Sequence, residues 1–205
     1  DNGVGVVIEV NSQTDFVAKN EVFQDFVKTL ASIVANENPA DVEALKACTY
    51  PGTDRTVSDV TADKVLAIGE NIQIRRFVRY AEGVNVPYIH MGGKIGVLVS
   101  FATEGVDTTA AEFAQCGRDV AMQVAAVDPI ATSREDVDPA VVEHEMGIYK
   151  AQAAESGKPE AIQEKMATGR LGKFYKENCL VDQAFIKDGN MDVNAYVNAT
   201  AKKLG

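Results

Sequence analysis

The sequence predicts an α+β fold: two related subdomains of antiparallel sheet plus helices, joined to a helical hairpin. Three observations predict it. A Gly-led, β-branched run occurs twice, "GVGVVIEV" at 3–10 and "GGKIGVLVSF" at 92–101. Each copy passes through a polar turn into a segment with apolar residues at three-four spacing, the mark of one buried helical face. The last third reads mainly as helix, in segments opened by Pro139 and Pro159. Pattern alone leaves open whether the repeat is a duplication or a coincidence.

The elements follow in order. Val6, Val7, Ile8 and Val10 suit a strand, and Asn11 to Asp15 suit a turn. Val22, Phe23, Phe26, Val27, Leu30, Ile33 and Val34 then form a helical stripe that runs into "NENPAD". A short helix is expected over 41–47, a loop over 49–56, and a helix over 58–68 with Ser58 or Thr61 as N-cap and Gly69 as its stop. "NIQIRRFVRY" (71–80) alternates, with Ile72, Ile74, Val78 and Tyr80 on the buried face and Gln73, Arg75 and Arg79 in water. Arg76 breaks that alternation. Gly83 to Pro87 is expected to turn, and 88–102 to pair as strand, Met91–Lys94 turn, strand.

The second repeat continues with a helix carrying Phe113, Cys116, Val120, Val124 and Val127. Pro139 opens a helix with a Val142, Met146, Tyr149 and Ala153 stripe, stopped by Gly157. Pro159 opens another through Ile162, Met166 and Phe174. Two narrow stripes joined by a turn predict an antiparallel hairpin. It either projects from the body or lies as a layer on a sheet. Residues 181–190 read as a partly extended connection, and Asp192 as the cap of a last helix bearing Val193, Tyr196, Val197, Thr200 and Leu204.

Composition narrows function. The 205 residues carry 20 basic and 30 acidic side chains, a net charge of −10. Arg75, Arg76 and Arg79 form the one dense basic group, too little for a nucleic-acid face. No apolar run is long enough to span a membrane. The three cysteines, Cys48, Cys116 and Cys179, are widely spaced and lack a CxxC pair, which fits a reducing, cytoplasmic setting. The sequon at Asn198–Thr200 reads as chance. The chain starts at Asp1 without Met or a signal peptide, and is expected to be a piece of something longer.

Catalytic motifs are missing. "EHEM" at 143–146 lacks the second His of a zinc-binding helix, "GGKI" has Tyr88 and Ile95 where a P-loop needs Gly and Ser or Thr, and "GVGVVI" has Ile8 at the third dinucleotide glycine. No GxSxG occurs. The chain therefore reads as a non-enzyme without cofactor or metal. One residue stands out instead: Phe16, a large ring inside a polar turn. It either folds back as a staple on the next helix or serves as a knob for a partner's pocket.

"EVNSQTDFVAKN" (9–20) strongly resembles the bacterial elongation factor Ts family, agreeing with its core motif from Glu9 through Lys19. "IGENIQIRR" (68–76), "GGKIGVLVSF", "DVAMQVAA" (119–126) and "SGKPEAIQEKMATGRLGKFYKE" (156–177) resemble further family segments in the same order. The resemblance covers essentially the whole chain. It implies a guanine-nucleotide exchange factor that binds elongation factor Tu and promotes GDP release by displacing the magnesium site. It also implies a helical hairpin protruding from the core, with residues 1–86 as N-subdomain, 87–155 as C-subdomain, and 156–205 as hairpin and return helix. The family's N-terminal helical domain and closing strand fall outside these 205 residues.

By the same resemblance, Thr14, Asp15, Phe16 and Val17 form the loop that dislocates magnesium, with Phe16 as the wedge. Ile68, Gly69 and Gln123 are second contacts, Gln123 standing where many members carry His. The expected partner is elongation factor Tu, without direct nucleic acid or membrane, and a homodimer or a 2:2 complex is left open. The alternative is a protein-binding or oligomerisation module without exchange activity, in which Phe16 is core.

Overall fold

A computed structural model describes residues 3–205. It is an α+β protein whose contacts divide it at Thr108/Thr109 into two compact units. The first runs β1 (Gly5–Asn11), α1 (Asp15–Ala18), α2 (Glu21–Glu37), α3 (Val42–Ala47), α4 (Val57–Ile68), β2 (Gln73–Tyr80), β3 (Val84–His90) and β4 (Ile95–Phe101). The second runs α5 (Ala111–Val127), α6 (Pro139–Ala154), α7 (Glu160–Asn178), β5 (Ala184–Phe185), β6 (Asp188–Asp192) and α8 (Val193–Leu204). By contacts, the hairpin of β3 and β4 belongs with the first unit.

The core of the first unit is the predicted α2 stripe. Phe23, Phe26, Leu30, Ile33 and Val34 pack with Leu45, Val57, Ile72 and Ile74, while Val22 at the edge of the stripe stays exposed. Asn20 caps α2 by accepting from the Val22 and Phe23 N–H groups. The α4 cap is Thr56, not Ser58 or Thr61: Thr56 and Asp59 satisfy each other's backbone N–H groups in a capping box. Thr61 instead turns its hydroxyl onto the Val57 carbonyl inside the helix.

The misfit at Arg76 has a structural cause. β1 and β2 pair antiparallel, Glu9 opposite Arg76 and Val10 opposite Ile74, which leaves Arg75 as the extra residue of a bulge. The bulge exchanges the faces of the strand. Ile72 and Ile74 are buried before it; after it Phe77 turns inward onto the core, and Val78 and Tyr80 face solvent. Their predicted burial is thus overturned. Arg79, expected in water, reaches the Ala35 carbonyl through Nε and Nη2 at 3.2 and 3.0 Å, neutralising an acceptor near the end of α2.

Residues 84–87 are strand rather than turn. β3 pairs with β4 along its whole length, Pro87 lying opposite Leu98, where a two-stranded ribbon leaves an outer edge that needs no N–H. This ribbon packs on β1 through two glycines. A Cβ on Gly5 would lie 2.6 Å from Asn85 Cβ, and one on Gly96 would lie 2.9 Å from Val7 Cγ2. A methyl at either place would force its neighbour to shift.

In the second unit α5 buries Phe113, Cys116, Val120 and Ala121, and α8 packs against it. The connection over 181–190 proves more regular than predicted: β5 and β6 form a small antiparallel hairpin, held by Phe185 stacked on Tyr196 at 4.2 Å between centroids. α6 and α7 pack on each other as an antiparallel pair and not as a layer on a sheet. Their seam is narrow, with Ala153 and Ala167 its fully buried members. Ile162, expected on the seam, is exposed.

The repeat is visible in the helices. α2 and α5 are each 17 residues long and each ends on a non-glycine residue in left-handed conformation, Asn38 and Asp128, both with φ of 48°. A proline follows in both cases, so each helix stops abruptly.

Candidate functional site

The site forms where β1 ends. Ser12 Oγ donates to the Thr14 carbonyl at 3.0 Å, and the chain then makes a single helical turn, α1. Thr14 is its N-cap, accepting from Val17 N–H. Asp15 occupies the first turn, where a negative charge is favoured, and takes a hydrogen bond from Lys19 Nζ at 2.8 Å. That bond, with smaller fields from Lys19 and Lys94, holds the Asp15 carboxyl below the usual carboxylate range. Asp15 is therefore anionic in neutral solution, and its charge is matched.

Phe16 and Val17 point opposite ways. Val17 packs against the core of the first unit, whereas Phe16 is 83 % exposed. The staple is ruled out by position as well as exposure: it needs an apolar residue just before the cap, and Lys19 stands there before Asn20. Val17 takes the inward role that a folded-back Phe16 would have had.

The loop is tied to the end of α4. Gly69 closes that helix with φ of 78°, a conformation open to glycine at no steric cost. The next residue, Glu70, turns both carboxylate oxygens toward the loop and accepts from Gln13 N–H, Thr14 N–H and the Thr14 hydroxyl. Thus Thr14 to Val17 and Ile68 and Gly69 are brought together. Ile68 is half-buried against the core. Two residues of this region escaped sequence reasoning. Leu66 is 83 % exposed; it follows Val65, which packs on the core, so helical periodicity already put it off the buried stripe. Glu70 carried no local signal, because its partners lie 56 residues or more away.

Gln123 is placed differently. It lies in the second unit, 0 % exposed, with Nε2 donating to Gln183 Oε1 and to the Ala184 carbonyl, both at 3.2 Å, and Oε1 accepting from Ile186 N–H at 2.9 Å. Both polar atoms of its amide are partnered, and what it does here is hold β5 to α5.

No constellation for bond chemistry accompanies the loop. Among the described residues no three His, Cys, Asp or Glu side chains converge on a metal-sized site. His144 lines an open hollow on one face of α6 with Ala140, Glu143, Gly147, Ile148 and Ala151, which lacks the converging polar groups of an active site. No described helix is long and apolar enough to cross a membrane. Burial pushes the Cys48, Cys116 and Cys179 thiols up, away from nucleophilic reactivity.

The model of the family "Elongation factor TS" matches residues 13–205. The chain belongs to the elongation factor Ts family. Curated members similar to it include the elongation factor Ts of Trichlorobacter lovleyi, 48 % identical over 205 residues, and that of Syntrophotalea carbinolica, 45 % identical over 203. The elongation factor Ts of Clostridium perfringens is 43 % identical over 203 residues. In each case 98 % of this chain is covered, and the chain spans 66 % of the relative's length. The exposed Phe16 lies inside the matched region, as do Ile68, Gly69 and Glu70.

Proposed function

We propose that the chain is the guanine-nucleotide exchange module of an elongation factor Ts, acting on elongation factor Tu in the cytoplasm during translation. The observation that carries the reading is Phe16: a large ring 83 % exposed on a turn whose neighbours are all tied down. A GTPase holds its nucleotide through backbone N–H groups and a magnesium ion. A ring entering between the elements that orient the metal weakens both holds. Thr14 and Asp15 shape the loop, Val17 roots it, and Ile68 and Gly69, with Leu66 beside them in sequence, extend the contact. Gln123 serves through the β5 segment it positions. In this reading residues 1–86, 87–155 and 156–205 correspond to N-subdomain, C-subdomain, and hairpin with return helix.

No catalytic side chain, cofactor or resident metal is required. The factor needs only to bind the nucleotide-free GTPase more tightly than the GDP form, and linkage makes the antagonism mutual. Each ~1.4 kcal/mol of differential affinity is a tenfold effect. The alternative, a module with Phe16 in its core, does not account for a ring that is 83 % exposed.

The test is GDP release from elongation factor Tu followed by stopped flow, with Phe16→Ala in the full-length factor. Burying a Phe side chain is worth about 1.5–3 kcal/mol, so release should slow by roughly tenfold or more, with an unchanged melting curve. Release at the wild-type rate would remove the wedge.

A further inference from the structure

Three donors converge on the Glu70 carboxylate. The N–H groups of Gln13 and Thr14 both reach Oε2 at 3.0 Å, and the Thr14 hydroxyl reaches Oε1 at 2.5 Å. A fourth link runs the other way, from Asn71 N–H to Gln13 Oε1 at 3.2 Å. Glu70 is half-buried and spends both oxygens on the loop. That loop needs outside support. The helix it leads into, α1, has four residues, far fewer than an isolated helix needs to persist in water. Its order comes from the Thr14 cap, the inward packing of Val17, and Glu70.

We propose that Glu70 is the positioning residue of the exchange surface: its carboxylate fixes the Gln13–Thr14 segment to the end of α4, so that Phe16 is presented to the GTPase in a preformed place. This rests on the wedge reading of Phe16. The physical argument is preorganisation. A segment already ordered loses little freedom on docking, whereas one that must be ordered by the partner binds more weakly. Glu70 itself need not touch the GTPase. Its contribution passes through Thr14, the residue whose carbonyl and hydroxyl begin the turn bearing Phe16.

Glu70→Gln isolates the effect. The amide keeps the size of the side chain but loses its charge. Its oxygen can still accept from the two N–H groups, while the Thr14 hydroxyl loses its acceptor and can only accept from the new NH₂, so the charge that strengthens all three bonds is removed. The experiment is GDP release from elongation factor Tu by stopped flow over a range of concentrations of the full-length factor. It compares wild type, Phe16→Ala, Glu70→Gln and the double variant. The expected result for Glu70→Gln is a rise of roughly tenfold in the half-saturating factor concentration, the size of one lost charge-assisted hydrogen bond. In that background the Phe16→Ala penalty should shrink several-fold, because a ring already out of place has less to lose. A merely structural role would lower the melting temperature and leave the two penalties multiplicative.

Should Glu70→Gln melt well below wild type, Thr14→Val removes at nearly constant shape the hydroxyl that donates to Glu70 and accepts from Val17 N–H, and should show the same coupling to Phe16→Ala. Wild-type behaviour of Glu70→Gln, or penalties that multiply in both backgrounds, overturns the assignment of Glu70 while the wedge stands. Absence of any Phe16→Ala penalty in the wild-type background overturns the wedge and the positioning role together.

Discussion

Gln123 and Gln183 join their side-chain amides at 3.2 Å inside the second unit, and neither side chain reaches solvent. Gln123 also accepts from Ile186 N–H, and Gln183 donates to the Glu177 carbonyl at 3.0 Å. One pair of amides therefore connects α5, the end of α7 and the β5–β6 hairpin. Replacing Gln123 by Leu keeps much of the volume but strands the Ile186 N–H and the Gln183 oxygen. Leaving buried polar groups unpaired costs about 1–3 kcal/mol. Urea denaturation should show that loss, and amide exchange at Ile186 should quicken ahead of α5.

Asp119 predicts an acid-sensitive second unit. It is 4 % exposed and accepts from Lys187 Nζ at 2.6 Å, Gln115 Nε2 at 2.7 Å and the Tyr196 hydroxyl at 2.8 Å. Burial pushes its carboxyl up, but the hydrogen bonds from Lys187, Tyr196 and Gln115 outweigh it and hold the group below the usual range. Burial, and then the Asp119 bond, push the Tyr196 hydroxyl up, so it remains a donor. With the folded value below the unfolded one, Asp119 stabilises fully above about pH 4, and this is lost as pH falls through the folded value. Asp119→Asn should flatten that acid limb of the stability–pH curve and lower the neutral plateau by roughly 1–3 kcal/mol. An unchanged acid limb would place the responsible carboxylates elsewhere.

The bulge makes an unusual prediction about Arg75. Its side chain is exposed and pairs with Glu9 at 2.8 Å, beside Arg76 at 2.6 Å; those bonds hold the Glu9 carboxyl below its ordinary range. Exposed pairs are worth about 0–1 kcal/mol, so Arg75→Ala should be mild. Removing Arg75 altogether should be tolerated as well. Ile74 and Phe77 would then stand two residues apart and share one face, with Val10–Ile74, Glu9–Arg76 and Ile8–Phe77 still opposite each other, so Ile72, Ile74 and Phe77 all stay on the core. Thermal melts of the deletion and of Arg75→Ala should differ little; a loss of about 1.5–3 kcal/mol on deletion, the size of one large apolar side chain leaving the core, would show that the bulge itself is required.

Packing between the two ribbons of the first unit predicts unequal glycine substitutions. Gly5→Ala puts a methyl 2.6 Å from Asn85 Cβ and 2.8 Å from Leu98 Cδ1, whereas Gly96→Ala meets the Val7 Cγ2 methyl at 2.9 Å. Asn85 Cβ is rooted in the strand and yields little; the Val7 methyl yields more. Overpacking costs about 1–3 kcal/mol, and Gly5→Ala should fall at the upper end with Gly96→Ala below it, as chemical denaturation would measure.

What could be read from sequence depended on range. The α2 stripe, the Gly69 stop and the Pro139 and Asp192 helix starts are set by neighbours within a turn or two, and each was legible. The faces of β2 were legible only as far as Arg75, because a bulge depends on the partner strand. Gln123 carried a usable signal: three residues beyond Val120, it continues the Phe113, Cys116, Val120 stripe and so falls on the buried face of α5. A place in a polar turn marked Phe16, and motif resemblance gave it a role, but its exposure follows from Val17 taking the inward place, which no local pattern states. Glu70 lies within "IGENIQIRR", but a carboxylate after a helix-stopping glycine looks like any solvated one.

The seam of the α6–α7 pair has a dynamic consequence. Ala153 and Ala167 are the fully buried residues of two helices totalling 35 positions, 16 and 19. Little apolar surface is thereby withdrawn from water per turn, and segments with few buried contacts open with the lowest free energies. This arm would form a separate cooperative unit, unzipping from its Ser156–Gly157 tip and closing again many times within the lifetime of the folded remainder.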